Sequence, residues 1–190
     1  MATAICPACM NEVEIPPGTR PGQEIQCPYC YCTFVPIPAS EGETKGGLDL
    51  EGVKEAVAAC CLGETECGGC QQEACLIGFA KRAVEIAEEQ GTVRIPGGEE
   101  LLPKEDFRYY DPVALEDCLV EILLSCKSCQ EYHSNDCVRN LLRNAIEIAL
   151  LGETIDYKGS VFLYLIDLDK VNPEIGERVA AAYRSKKGLG

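Results

Sequence analysis

The sequence predicts a mainly α protein, with a small β module at its amino end and a duplicated helical-hairpin domain behind it. Three observations predict this. Residues 1–36 carry two C-x2-C pairs, Cys6/Cys9 and Cys27/Cys30, among short apolar alternations and Pro/Gly turns. Residues 37–47 are rich in Pro, Gly, Ser and Glu, the composition of a flexible linker. Residues 48–190 carry helical periodicity, and within them residues 49–92 align without gaps on residues 111–154. The 190 residues, 46% apolar and 25% charged, suffice for one core plus a small module.

The amino-terminal elements follow from alternation and turn chemistry. Val13-Glu14-Ile15, Glu24-Ile25-Gln26 and Thr33-Phe34-Val35 read as short strands, with Pro16-Pro17-Gly18 and Pro21-Gly22 turning the chain between the first two. Seventeen residues, 10–26, separate the two cysteine pairs. A two-residue gap lets both thiolates of a knuckle face one ion, and two knuckles complete a tetrahedron. Cys6, Cys9, Cys27 and Cys30 therefore read as a structural Zn2+ site. The segment is too short to bury a stable core alone, so the metal supplies most of its folding energy. Cys32, just outside the second knuckle, reads as a spare thiol.

On these residues the module resembles a zinc ribbon, over about the first 36 residues. In length and acidity it is similar to the small amino-group carrier proteins of lysine and arginine biosynthesis. Those carriers end in an acidic tail whose terminal Glu bears the substrate. Here the chain runs on into Pro36-Ile37-Pro38, so the resemblance does not carry that activity over. Rubredoxins hold iron on two such knuckles and favour Gly after the second Cys of each. Met10 and Tyr31 stand at those positions and the gap is short, which implies zinc rather than iron.

The duplication, offset by 62, keeps Cys67/Cys129 and Cys75/Cys137 in register and matches residues 83–87 (Ala-Val-Glu-Ile-Ala) to 145–149 (Ala-Ile-Glu-Ile-Ala). Each copy reads as a helical hairpin. The first helices start at the caps Asp49 and Asp111, the latter followed by Pro112 at the favoured first helical position. Val53, Ala56, Val57 and Cys60 form one apolar stripe; Leu115, Cys118, Leu119, Ile122 and Cys126 form the other. The second helices run from about Gln72 to Glu89 and from Ser134, with Ser134 or Asn135 as cap, to Leu151. Their stripes are Cys75, Phe79, Ala83, Ile86 and Cys137, Leu141, Ala145, Ile148, which leaves Lys81, Arg82, Glu85 and Glu88 facing water. Two hairpins with one apolar face each pack most simply as a four-helix bundle. Tyr109 and Tyr110 anchor the start of the third of these helices. In the tail, residues 160–166 read as a strand or a buried helix, a choice periodicity leaves open. Asn172-Pro173 then opens a last helix to about Ser185.

Hairpin symmetry nominates further ligands. Cys61 and Cys75 are equidistant from Gly68, with Cys67 and Cys70 in the bend, so four thiols can converge. Cys126 and Cys137 are symmetric about a turn near Glu131-Tyr132, Cys129 lies near the bend, and His133 is the natural fourth donor. Four thiolates, and three thiolates with an imidazole, are both zinc types. A [4Fe-4S] cluster is the competitor, although C-x2-C-x4-C matches neither common ferredoxin run. Cys60 and Cys118 read as core packing, since Cys is a common buried small hydrophobe.

Composition narrows function. Lys and Arg total 17 against 31 Asp and Glu, a net charge of −14, which excludes a nucleic-acid or anionic-membrane surface and favours a basic protein partner. One His leaves little room for Ser-His-Asp or Cys-His hydrolysis, and no residue set supplies nucleophile, base and orienter. Pro96-Gly97-Gly98 lacks the Gly-Lys-Ser/Thr end of a phosphate loop. The amino end has no signal-peptide pattern, and the longest apolar run, Val161 to Leu168, already contains Asp167. The expected setting is the cytoplasm, where Cys pairs are ligands rather than disulfides. The expected function is a non-catalytic zinc adaptor or accessory protein. The alternatives are an iron–sulfur electron-transfer subunit of an oxidoreductase, and a Cu(I) storage or delivery protein.

Overall fold

A computed structural model describes residues 3–5, 12–20, 23–29, 31–34, 36, 50–67, 70, 74–126 and 134–188. The protein is mainly helical, and it divides into two compact units, Met1–Gly47 and Leu48–Gly190.

In the first unit β1 (Thr3–Ile5) pairs antiparallel with β2 (Glu12–Glu14), with Ala4 opposite Val13. A second hairpin joins β3 (Ile25–Gln26) to β4 (Thr33–Phe34), with Ile25 opposite Phe34. In each hairpin one cross-strand apolar pair points inward, which is what a period of two demands. Ala4, Val13, Ile25, Cys27 and Phe34 form the small core. β1 is an element that sequence patterning missed, because its one inward residue is Ala4, a residue depleted in strands.

The second unit holds α1 (Glu51–Ala59), α2 (Glu64–Cys67), α3 (Leu76–Gln90), α4 (Pro112–Ser125), α5 (Val138–Leu151), α6 (Val161–Val171) and α7 (Pro173–Lys187). α1 packs on α3 and on α4, and α5 packs on the same two helices. Leu50, Leu76, Leu119, Leu123, Leu142 and Ile146 are among the side chains that fill the space between them. α7 packs on α4, and α6 packs on α7. α3 and α5 start 62 residues apart, the offset at which residues 49–92 align on 111–154, and both end at a left-handed glycine, Gly91 and Gly152.

Several boundaries depart from the sequence reading. α1 begins after Leu50, and Asp49 lies outside the described residues. α3 and α5 begin at Leu76 and Val138, later than Gln72 and Ser134, because Cys75 and Cys137 occupy their N-cap positions. Cys75 Sγ accepts from the Gly78 N–H at 3.3 Å, doing the work of a capping oxygen. The expected caps Asp111 and Asn172 are in place, accepting from the backbone of Val113 and Ile175. Residues 160–166 resolve as helix: Val161, Tyr164 and Leu168 turn inward at helical spacing, while Phe162, Leu163 and Ile166 stay exposed. Among the described residues no helix is long and apolar enough to cross a membrane.

Candidate functional site

The first candidate centre lies between the strands of the second hairpin. Cys27 is fully buried. Its N–H donates to Cys32 O at 2.9 Å, and its carbonyl accepts from the Tyr31 N–H at 2.9 Å. Tyr31 adopts φ 62, a left-handed conformation that costs a residue with a Cβ about 1–2 kcal/mol. The chain thus reverses tightly around residues 27–31. Cys6 and Cys9, in the connection between β1 and β2, and Cys30 lie outside the described residues.

In the helical unit the cysteines take separate environments. Among the described residues no three or more His, Cys, Asp or Glu side chains are grouped to hold a metal ion. That set of residues includes Cys61, Cys67, Cys70 and Cys75, which symmetry about Gly68 expected to converge. The physical reason is the length of the bend. α1 stops at Ala59 and α3 starts at Leu76, so residues 60–75 intervene and α2 interrupts them, and the tight hairpin that would equate Cys61 with Cys75 is not made. Cys129 and His133 lie outside the described residues.

Cys61 is exposed, and hydrogen bonds from the Gly63 N–H and the Lys81 ammonium hold its thiol below the usual range. Cys75 meets the hydroxyl of Tyr110 at 3.3 Å. Tyr110 in turn donates to Asp106 Oδ2 at 2.6 Å, which also accepts from the Leu76 N–H at 2.8 Å. Arg108 closes the knot, 2.6 Å from Asp106 Oδ1. Burial pushes the Tyr110 hydroxyl far above its usual range, and the bonds to Asp106 and Cys75 add to that. Burial also pushes the Asp106 carboxyl up, but hydrogen bonds from Tyr110, Leu76 and Arg108 outweigh it and hold the group below the usual carboxylate range.

A second centre surrounds Cys126 and Arg143. Cys126 Sγ lies 3.2 Å from the Tyr157 hydroxyl. The Tyr157 and Tyr164 rings both face the Arg143 guanidinium, 4.8 and 5.1 Å from its carbon. Arg143 Nη2 donates to Asn140 Oδ1, Asn144 Oδ1 and Ile155 O. Arg143 Nε stands 3.0 Å from Glu147 Oε1 as an ion pair, without the alignment of a hydrogen bond, while Glu147 Oε2 accepts from the Ile155 N–H at 2.8 Å. Desolvation raises the Glu147 carboxyl above its usual range, and Arg143 only partly offsets it. Sequence reasoning missed both centres. The signal available was the i, i+4 spacing of Arg143 and Glu147, which periodicity alone assigns to a solvated face.

Cys60 and Cys118 are buried where α1 packs on α4, and Cys60 Sγ lies 3.3 Å from the carbonyl oxygens of Ala56 and Ala114. The Cys60 thiol beside it and burial push the Cys118 thiol far up.

Compared with protein-family models, curated proteins and solved structures, the chain finds no match.

Proposed function

We propose that this protein is a zinc-binding adaptor. In this reading its first unit is a zinc ribbon that holds Zn2+ on Cys6, Cys9, Cys27 and Cys30. Its second unit is a duplicated four-helix bundle that offers a second protein-binding surface, and its partner is another protein with a basic face, matched to the net charge of −14. One observation carries the reading. Each C-x2-C pair falls in the connection of its own antiparallel hairpin, β1–β2 and β3–β4, and the two hairpins share one small core that includes Cys27. The left-handed Tyr31 supports it, because that is the conformation a glycine after the second cysteine of a knuckle supplies. The donor chemistry fits: four thiolates on two short knuckles suit a tetrahedral ion. The metal when bound supplies folding energy to a unit whose core is five side chains. The helical thiols then serve packing and hydrogen bonding, with Cys75 and Cys126 each tied to a tyrosine.

Elemental analysis of the full chain, purified without added metal, tests this. The expected result is about one zinc per chain. Cys27→Ser removes it and leaves helical circular dichroism unchanged. A chain free of metal after purification from zinc-replete medium overturns the reading. So does a brown sample with acid-labile sulfide, which supports the iron–sulfur alternative.

A further inference from the structure

From Glu105 to Asp111 burial alternates residue by residue, the period of an extended chain. Asp106, Arg108 and Tyr110 turn inward. Asp106 is bonded to Tyr110, Arg108 and Leu76, and Arg108 Nη1 donates to Ala74 O at 2.9 Å, so the segment is fixed from behind. Glu105, Phe107, Tyr109 and Asp111 turn outward. Phe107 is 91% exposed and Tyr109 83%, the highest values among the exposed large hydrophobic residues described. Tyr109 therefore does not anchor the start of α4; Tyr110 alone is buried there. Same-side neighbours on an extended chain stand about 6.6–6.8 Å apart. The four side chains thus make a row roughly 20 Å long: a carboxylate, two aromatic rings and a second carboxylate, that of Asp111, which also caps α4. Among the described residues neither the Phe107 nor the Tyr109 N–H donates a hydrogen bond, so this edge of the segment is open to pairing.

Packing gives no reason to hold two rings in water on a fixed backbone. A docking surface does, because little conformational freedom is left to lose on binding. Charge selects the occupant. Between residues 99 and 113 the cations are Lys104 and Arg108, and Arg108 is spent on Asp106. Glu99, Glu100, Glu105 and Asp111 stand against Lys104 alone. We propose that this row docks an extended, arginine-bearing segment of a protein partner, with guanidinium groups over Phe107 and Tyr109 and paired with Glu105 and Asp111. A planar guanidinium both stacks on a ring and meets a carboxylate. Alternate side chains of an extended partner recur at the spacing of the rings, and its backbone can meet the open N–H edge. A second copy of the chain is the wrong occupant, since it sets Glu105 and Asp111 against their own kind in a protein of net charge −14. The inference rests on the adaptor reading and gives its basic partner a place to bind.

The probe is a fluorescein-labelled peptide of alternating Arg and Thr, titrated with the full-length protein and followed by anisotropy. Its control carries citrulline, the uncharged isostere, in place of each Arg. The expected result is saturable binding of the Arg peptide, with the citrulline peptide roughly tenfold weaker or worse. Phe107→Ser with Tyr109→Ser weakens the Arg peptide roughly tenfold, and Glu105→Lys weakens it several-fold. Phe162→Ser, at a ring 72% exposed on α6, leaves it unchanged. The substituted side chains are all exposed, so the variants keep the fold, which circular dichroism checks. The proposal is overturned if the Arg peptide does not bind saturably or the citrulline peptide binds as tightly. It is also overturned if the double variant binds as tightly as the natural sequence, the result of diffuse attraction to an acidic surface. Zinc is measured in the same samples. A protein that holds zinc and fails with the peptide loses this site and keeps its ribbon. A metal-free protein that binds as expected keeps this site and loses the ribbon.

Discussion

The two aligned segments, 49–92 (copy one) and 111–154 (copy two), use the same two positions differently. In copy one Lys81 and Glu85 lie on the outer side of α3, where Glu85 is half-exposed and pairs with Arg82 at 3.1 Å. In copy two Arg143 and Glu147, 62 residues on, are 4% and 0% exposed at their side chains. The helices are equivalent; the segments that come after them are not. After α5 the chain lays Ile155, Tyr157 and Tyr164 over the charged pair. The Ile155 backbone is bound from both sides, its N–H by Glu147 and its carbonyl by Arg143. Two positions on the outer side of α3 thus correspond, in α5, to a clamp on the covering segment. Burial at a given helical position is decided by the segment that crosses it, not by the helix.

If that is right, the largest effect comes from unpairing the clamp. Glu147→Ala strands a buried guanidinium and frees the Ile155 N–H, so it should cost about 3–5 kcal/mol in urea unfolding. Glu85→Ala at the equivalent place should stay within about 0.5 kcal/mol. Equal losses at the two sites would break the comparison. The double change Arg143→Met with Glu147→Leu sharpens it. Removing both charges together should recover most of the loss, because the penalty lies in the unpaired charge rather than in the absent bond.

A second contrast concerns the thiol–phenol contacts. Between the two aligned segments Tyr110 donates to Asp106, a carboxylate that also fixes the first turn of α3 through Leu76. Tyr110→Phe leaves that buried carboxylate one donor short and should cost about 1.5–3 kcal/mol, measured in the same unfolding experiment. A loss below about 0.5 kcal/mol, the scatter of a neutral substitution, would mean that Arg108 and Leu76 alone satisfy Asp106.

These contrasts mark where sequence reading works and where it stops. The helical stripes, the 62-residue offset and the caps Asp111 and Asn172 are local features, written in residues within a few positions of one another, and they are legible. The capping positions of Cys75 and Cys137 are not, because Ser134 and Asn135 are the stronger cappers on intrinsic preference and the tertiary fold overrides them. Residues 160–166 hold no polar residue between Ser160 and Asp167 beyond the Tyr164 hydroxyl, so neither period shows. The bend thiols do not converge because equidistance about Gly68 presumes a tight turn, and α2 occupies the connection. Arg143 and Glu147 carry no local sign of burial, since their cover comes from residues outside the repeat.

The smallest effects separate the Asp106 and Glu147 sites by pH. The Asp106 carboxyl is held below its unfolded value of about 3.9. It therefore contributes stability that is present above that value and lost as pH falls through its folded pKa. The Glu147 carboxyl is raised above its unfolded value of about 4.3. Its contribution is complete below that value and is lost as pH rises through its folded pKa, because burial disfavours the charged form more than Arg143 favours it. The Asp106 site thus weakens toward acid and the Glu147 site toward neutrality. Urea unfolding from about pH 3 to about pH 7 reads the two slopes. In Glu147→Gln the decline above about pH 4.3 should vanish, while the acid-side loss below about pH 4 persists. In Asp106→Asn the reverse should hold. If Glu147→Gln keeps the full neutral-side decline, Arg143 rather than burial governs the carboxylate, and the clamp is an ordinary ion pair that happens to be covered.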